Sequence, residues 1–303
     1  MSRLSFGASA PLMGAGLMVA AAVAFAALNV VLQYGGTVAA IASTSLAFWQ
    51  YAIALLFLVP WILVEGRQFL GTKQLPLHLL RVVLAALGVQ VWAYALSLVA
   101  IWQAIALLMT SPFFVIAGAS LFLKEPLSPL RLGATLVGFF GALIILAPWS
   151  SSFSWPALLP VATAALWGGT TLLTKCLTRS ESSVSITMYL LLFLTPINGA
   201  ILLGAGFSLP TASDWPLLVC AGGLTALGNY CITRAYAVAD ATYLQPFDDL
   251  RLPLNILFGW LFFSTAPNAA FWPGALLILG ASLFLLQRER GQEERRIASQ
   301  SSR

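Results

Sequence analysis

No Asp, Glu, Lys or Arg stands between Arg3 and Glu65. Equally charge-free interiors lie between Arg81 and Lys124, between Arg131 and Lys175, and between Arg251 and Arg288. A water-soluble fold needs charge over its surface, and soluble chains carry about 25% charged residues. Here the charged fraction is 8% and the hydrophobic fraction 60% over 303 residues. A bilayer sets the opposite condition, because a charge at the centre of a span costs about 2.5–3.5 kcal/mol even on a lenient insertion scale. The chain is therefore expected to live in a membrane. The few polar residues inside its charge gaps become the candidates for function.

A span needs roughly 20 apolar residues. Breaks at Gly, Pro, Ser and charged clusters predict ten spans, near 12–33, 46–64, 79–98, 102–122, 130–147, 156–176, 186–205, 215–236, 241–263 and 269–287. The N-terminal run lacks a convincing cleavage site and reads as a first helix, not a removable signal. With the N-terminus in the cytoplasm, fourteen of the fifteen Lys and Arg residues fall on the cytoplasmic side, and Arg251 alone lies inside a span. This is the positive-inside asymmetry. It predicts a multi-pass protein of the bacterial inner membrane with both termini cytoplasmic. It also explains the net charge of +5 without a nucleic acid partner. Cys176, Cys220 and Cys231 show no metal or redox spacing, and no cofactor or metal is expected.

The chain reads as a duplication. Pro112, Glu125 and Gly133 are separated by 13 and 8 residues, and so are Pro253, Ala266 and Gly274. Ala93-Tyr94-Ala95 precedes Pro112 much as Ala235-Tyr236-Ala237 precedes Pro253. Ala24-Phe25 with Asn29 and Gln33 matches Leu166-Trp167 with Thr171 and Lys175. Five helices per half is odd, so the second half must enter the membrane inverted. The expected fold is an all-α membrane protein of ten helices, two inverted five-helix repeats around a central cavity. The expected divisions are 1–150, 151–290 and a charged cytoplasmic tail at 291–303. Inverted repeats are the architecture of secondary transporters, with the substrate site near the midplane between the halves.

Several stretches carry a family resemblance: Ala165-Leu166-Trp167-Gly168, the Leu121-Phe122-Leu123-Lys124-Glu125-Pro126 corner, the glycine run from Gly133, and the segment from Ala239 to Asp248. On these the chain resembles the drug/metabolite transporter superfamily in its ten-helix form, built from two EamA-type repeats. In its many aromatic residues it is most similar to the bacterial aromatic amino acid exporters. The first repeat departs by having Phe25 where the family often has Trp.

Polar side chains in a bilayer must face protein or water. Helix 1 offers Asn29 and Gln33; helix 3 offers Gln90, Tyr94 and Ser97; helix 4 offers Gln103 and Thr110. Helix 6 offers Trp167 and four threonines, and helix 8 offers Thr225 and Asn229. Helix 9 is the most polar, with Gln245, Asp248, Asp249, Arg251 and Asn255. Helices 1, 3, 4, 6, 8 and 9 are therefore expected to surround the cavity, as the resemblance also implies. Helices 5 and 10 hold Gly133, Gly138, Gly141, Gly274 and Gly280 and read as outer packing helices. They suit a monomer or a homodimer joined through them.

The expected substrate contacts are Asn29, Gln90, Gln103 and Asn229 for polar ends, with Tyr94, Trp102, Trp167 and Tyr243 to stack on a ring and Thr171 completing the set. The amides also suit helix–helix glue, Trp102 an interfacial belt, and the threonines bonds to their own backbone. Asp248 and Arg251 read either as a structural ion pair or as a gate or coupling pair closing the inner end of the cavity. Pro112, Pro246 and Pro253 are hinge candidates. The only histidine is His78, and no hydrolase or metalloprotease motif is present, which argues against an enzyme. The expected activity is export of aromatic or other bulky neutral amino acids by alternating access. The alternative is export of other small metabolites or drugs, with proton coupling open. The partners are then the small-molecule substrate and membrane lipid.

Overall fold

Inside hydrocarbon a backbone amide finds no water, so each span must close its own hydrogen bonds as a helix. The computed structural model describes residues 9–65, 72–123, 129–150, 153–178, 180–181, 183–207, 209–239, 244, 247–269 and 271–301. Over these the chain is helical, without strands. The first half comprises α1 (Ser9–Thr37), α2 (Ser43–Glu65), α3 (Leu75–Leu98), α4 (Ile101–Leu108), α5 (Ser111–Leu123) and α6 (Pro129–Leu146). The second half comprises α7 (Leu159–Leu177, led by a 3₁₀ turn at Trp155–Leu158), α8 (Ser183–Gly204), α9 (Trp215–Val238), α10 (Arg251–Phe263) and α11 (Phe271–Ser301). With α4 and α5 taken as one interrupted span, these are the ten expected spans. Leu12–Thr37, Leu75–Leu98, Ile101–Phe122, Trp155–Leu177 and Trp215–Ala235 are long and apolar enough to cross a membrane, and shorter apolar helices supply the other five.

Two expectations need correction. The fourth span is not one helix: the chain turns at Met109–Thr110, just before Pro112. Proline cannot donate the bond a continuous helix would need, and its ring crowds the preceding turn. Thr110 repairs the gap, its hydroxyl donating to Leu107 O at 2.6 Å and its carbonyl accepting from the Phe113 amide at 3.0 Å. The ninth span is interrupted at the equivalent place. A turn at Asp249–Leu250 precedes α10, two residues before Pro253, so Asp248 and Arg251 do not share one continuous helix. The last helix, α11, runs on through 291–301 of the charged C-terminal segment.

The largest helix contacts all join one half to the other: α1 with α9, α3 with α7, and α6 with α11. In the duplication α1 corresponds to α7 and α3 to α9. The first two contacts are thus images of each other, and the α6–α11 contact is its own image.

Gly141 and Gly274 make the last contact possible. A Cβ added at Gly141 would lie 2.7 Å from Gly274 O, and one at Gly274 would lie 2.6 Å from Gly141 O. This glycine face, which the sequence offered to a second copy, is used within the chain. Gly138 seats the Phe113 ring, whereas Gly133 and Gly280 face open space. Leucine at Gly141 or Gly274 should therefore force α6 and α11 apart, an overpacking cost of about 1–3 kcal/mol or more. Thermal unfolding in detergent should show a lowered midpoint for those variants, and an unchanged one for Gly133→Leu and Gly280→Leu. Equal effects at all four sites would contradict this packing.

Candidate functional site

Phe25 on α1 and Trp167 on α7 are repeat equivalents, and each lies against a glycine of the opposite half. A Cβ at Gly228 of α9 would come within 2.7 Å of the Phe25 ring. A Cβ at Gly88 of α3 would collide with the Trp167 indole. The missing side chains let bulky rings lie flat between packed helices. Trp92 on α3 extends the wall, its ring centroid 5.9 Å from that of Trp167 at an interplanar angle of 45°. With Asn29, Gln50, Tyr51 and Arg251 these rings line a cavity of about 190 Å³ between the halves. Ligand pockets run roughly 300–1,000 Å³, so this cavity is smaller than most of them.

A polar chain crosses the cavity wall. Asn29 Nδ2 donates to Asn255 Oδ1 at 2.9 Å, and Trp92 Nε1 donates to Asn29 Oδ1 at 3.2 Å. Asn255 Nδ2 donates to Arg251 O at 2.6 Å, at the start of α10. The bridge thus ties α1 and α3 to the interrupted ninth span. Arg251 Nη2 lies 2.8 Å from Asp248 Oδ1. Its guanidinium also sits over the Phe25 ring, 4.7 Å from the centroid, where the ring's negative face favours a cation. Aspartate and ring together offset part of the cost of a charge at this depth.

Polar ties close the bundle beyond the cavity. Where α1 ends, Gln33 Nε2 donates to Val99 O at 3.0 Å. Where α3 begins, Arg81 donates from Nε to Thr174 Oγ1 at 2.7 Å and from Nη1 to Ile186 O at 2.9 Å. That buried arginine joins α3 to α7 and α8 across the two halves.

The expected site residues separate into groups. Asn29, Trp167 and Arg251 line the cavity, and Asp248 holds Arg251. Tyr94 does not line it; it is 50% exposed and turns out of the bundle. The cavity face of α3 is instead the stripe carrying Val89 and Trp92. Gln90 faces α8, where Nε2 donates to Asn198 Oδ1 at 2.9 Å. Trp102 packs edge-on against Phe271 of α11, 5.1 Å between centroids. Asn229 and Thr171 bond backbone four residues back, to Thr225 O and Trp167 O. Gln103 is half-buried on α4, outside the cavity lining. Pro112 and Pro253 mark the interruptions, both exposed, while Tyr243 and Pro246 lie outside the described residues. Helix 8 contributes the glycine under Phe25, not a polar lining group. The sequence reading passed over Gln50 and Tyr51 on α2, and Asn198 on α8. For Gln50 and Asn198 the signal existed, an amide inside a charge-free span. Helix 2 is not among the helices expected to line the cavity.

Comparison with known proteins agrees with this architecture. The EamA-like transporter family model matches residues 12–147 and again 154–287, one match per half. A riboflavin transporter of Brucella anthropi is 53% identical over 279 residues, covering 90% of this chain and 98% of that protein. A riboflavin transporter of Rhizobium johnstonii is 53% identical over 287 residues, covering 95% of each. A solved crystal structure, 18% identical with a TM-score of 0.59, covers 92% of this chain and 98% of its own and shares the fold. The chain belongs to the EamA-like transporter family, and is a multi-pass membrane transporter of small molecules, not an enzyme.

Proposed function

We propose that this chain carries riboflavin, or a flavin with the same ring system, across the bacterial inner membrane. The near full-length identity to two riboflavin transporters carries this reading. The cavity supports it chemically. Isoalloxazine is a planar fused ring system, and Phe25, Trp92 and Trp167 offer it flat apolar faces between the halves. The aromatic amino acid expected from sequence makes the same demand for stacking, but the similarity to riboflavin transporters supports a larger heterocycle.

In the proposed cycle the two inverted halves rock about the cavity and expose it to each side in turn. The interruptions before Pro112 and Pro253 supply equivalent joints. Asp248 and Arg251 gate the cavity, and the cycle runs without proton coupling. Both termini stay in the cytoplasm, with repeats at 1–150 and 151–290.

Purified protein in liposomes should take up riboflavin saturably, with unlabelled riboflavin competing and aromatic amino acids competing poorly. Strong competition by tryptophan or phenylalanine would restore the amino acid reading. Trp167→Ala should raise the half-saturation concentration about three- to tenfold, since an aromatic pair adds about 0.5–1.5 kcal/mol. For the gate, Asp248→Asn and Arg251→Ala should each cut the maximal rate about tenfold in well-folded protein, the cost of leaving one charge of the pair unmet. Near-normal flux in both would remove the gating role, and a pH gradient that accelerated counterflow would overturn the uncoupled cycle.

A further inference from the structure

Among the described residues, two buried polar atoms of residues lining the cavity have no hydrogen-bond partner. Gln50 on α2 is 4% exposed, lines the cavity, and its Oε1 is buried without a hydrogen bond. Arg251 lines the same cavity; Asp248 takes its Nη2, but its Nε is buried without a partner. Orphaned polar atoms are costly where no water reaches them, and a native structure has few. The neighbouring amides are committed: Asn29 and Asn255 bond each other, Trp92 and the α10 backbone. Whatever fills this cavity therefore meets one free acceptor and one free donor, in a lining that also carries the tilted Trp92 and Trp167 rings.

We infer that Gln50 reads the imide edge of the flavin ring. This assignment rests on the flavin reading above. The pyrimidine-dione end of isoalloxazine presents an N–H flanked by two carbonyl oxygens. A carboxamide presents an acceptor beside a donor, the complement of that N–H and one flanking carbonyl. Gln50 Oε1 accepts from the imide N–H while its own amide N–H donates to a carbonyl. Arg251 Nε donates to the remaining oxygen. The dimethylbenzene end then lies against Trp92 and Trp167, and needs no polar contact. Gln50 is thus a specificity-determining residue, selecting planar heterocycles with an N–H beside a carbonyl.

The test compares riboflavin with 3-methylriboflavin, in which a methyl group replaces the imide hydrogen, in liposomes holding the full chain. Wild-type protein should take the methylated compound with a half-saturation concentration at least about tenfold higher, the effect of one buried hydrogen bond lost. Gln50→Leu should weaken riboflavin by a similar factor and bring the two compounds within about twofold of each other. Wild-type protein that carries both compounds equally well overturns the assignment, whether or not the variant folds. So does a Gln50→Leu protein that keeps the full discrimination. Absence of saturable riboflavin uptake by wild-type protein would instead overturn the flavin reading, and the imide assignment with it.

Discussion

In hydrocarbon an unmet backbone amide costs several kcal/mol, so a chain may leave the helix only where protein or a wet cavity covers the gap. Two spans of this transporter leave it before a proline, at Met109–Thr110 and at Asp249–Leu250. The first gap is filled by the Thr110 hydroxyl on Leu107 O. The second lies beside Arg251, Asp248 and the cavity. These are the points at which a helix can change direction without exposing its backbone to lipid. Their equivalence in the duplication puts one joint in each half.

The same constraint explains the glycines. Apolar side chains gain little by leaving lipid for protein, so helices in a bilayer associate through close packing. Gly141 and Gly274 bring α6 and α11 together backbone to backbone. Gly88 and Gly228 do something else with the same absence of a Cβ. They let Trp167 and Phe25 lie between helices of opposite halves, where the rings become walls of a cavity. Each ring belongs to one half and its seat to the other. In the proposed cycle, motion of one half against the other therefore moves ring against seat.

The sequence disclosed the membrane through its charge gaps, because charge is what a bilayer punishes, and the duplication through the repeated spacing of Pro112 and Gly133 against Pro253 and Gly274. Asn29, Trp167 and Arg251 were legible as cavity residues for the same reason: polar or amphipathic groups deep in a span need company. The lining stripe of α3 was not. A soluble helix shows its buried face as an apolar stripe, but in a bilayer the lipid face is apolar too. Gln90, Tyr94 and Ser97 share a face by spacing, yet Tyr94 turns outward and Trp92 lines the cavity. Gln50 was missed because one amide on an apolar helix has no pattern around it. The glycines were seen, but spacing does not say whether Gly133 faces lipid and Gly141 a neighbour; only the partner helix decides that. Nor can polarity name a substrate with few charges, which is why the proposed flavin is drawn from the relatives and not from the sequence pattern.

Opposite insertion of the two halves underlies the joints, the paired rings and the cavity alike. Its most direct measurement is the sidedness of the two repeat-equivalent corners. Single cysteines placed at Glu125 and at Ala266, in protein whose Cys176, Cys220 and Cys231 have been replaced, would be labelled with a membrane-impermeant maleimide. Intact cells should label the Ala266 site and inside-out vesicles the Glu125 site. Labelling of both from the same face would mean that the halves run in parallel, and the account would fail.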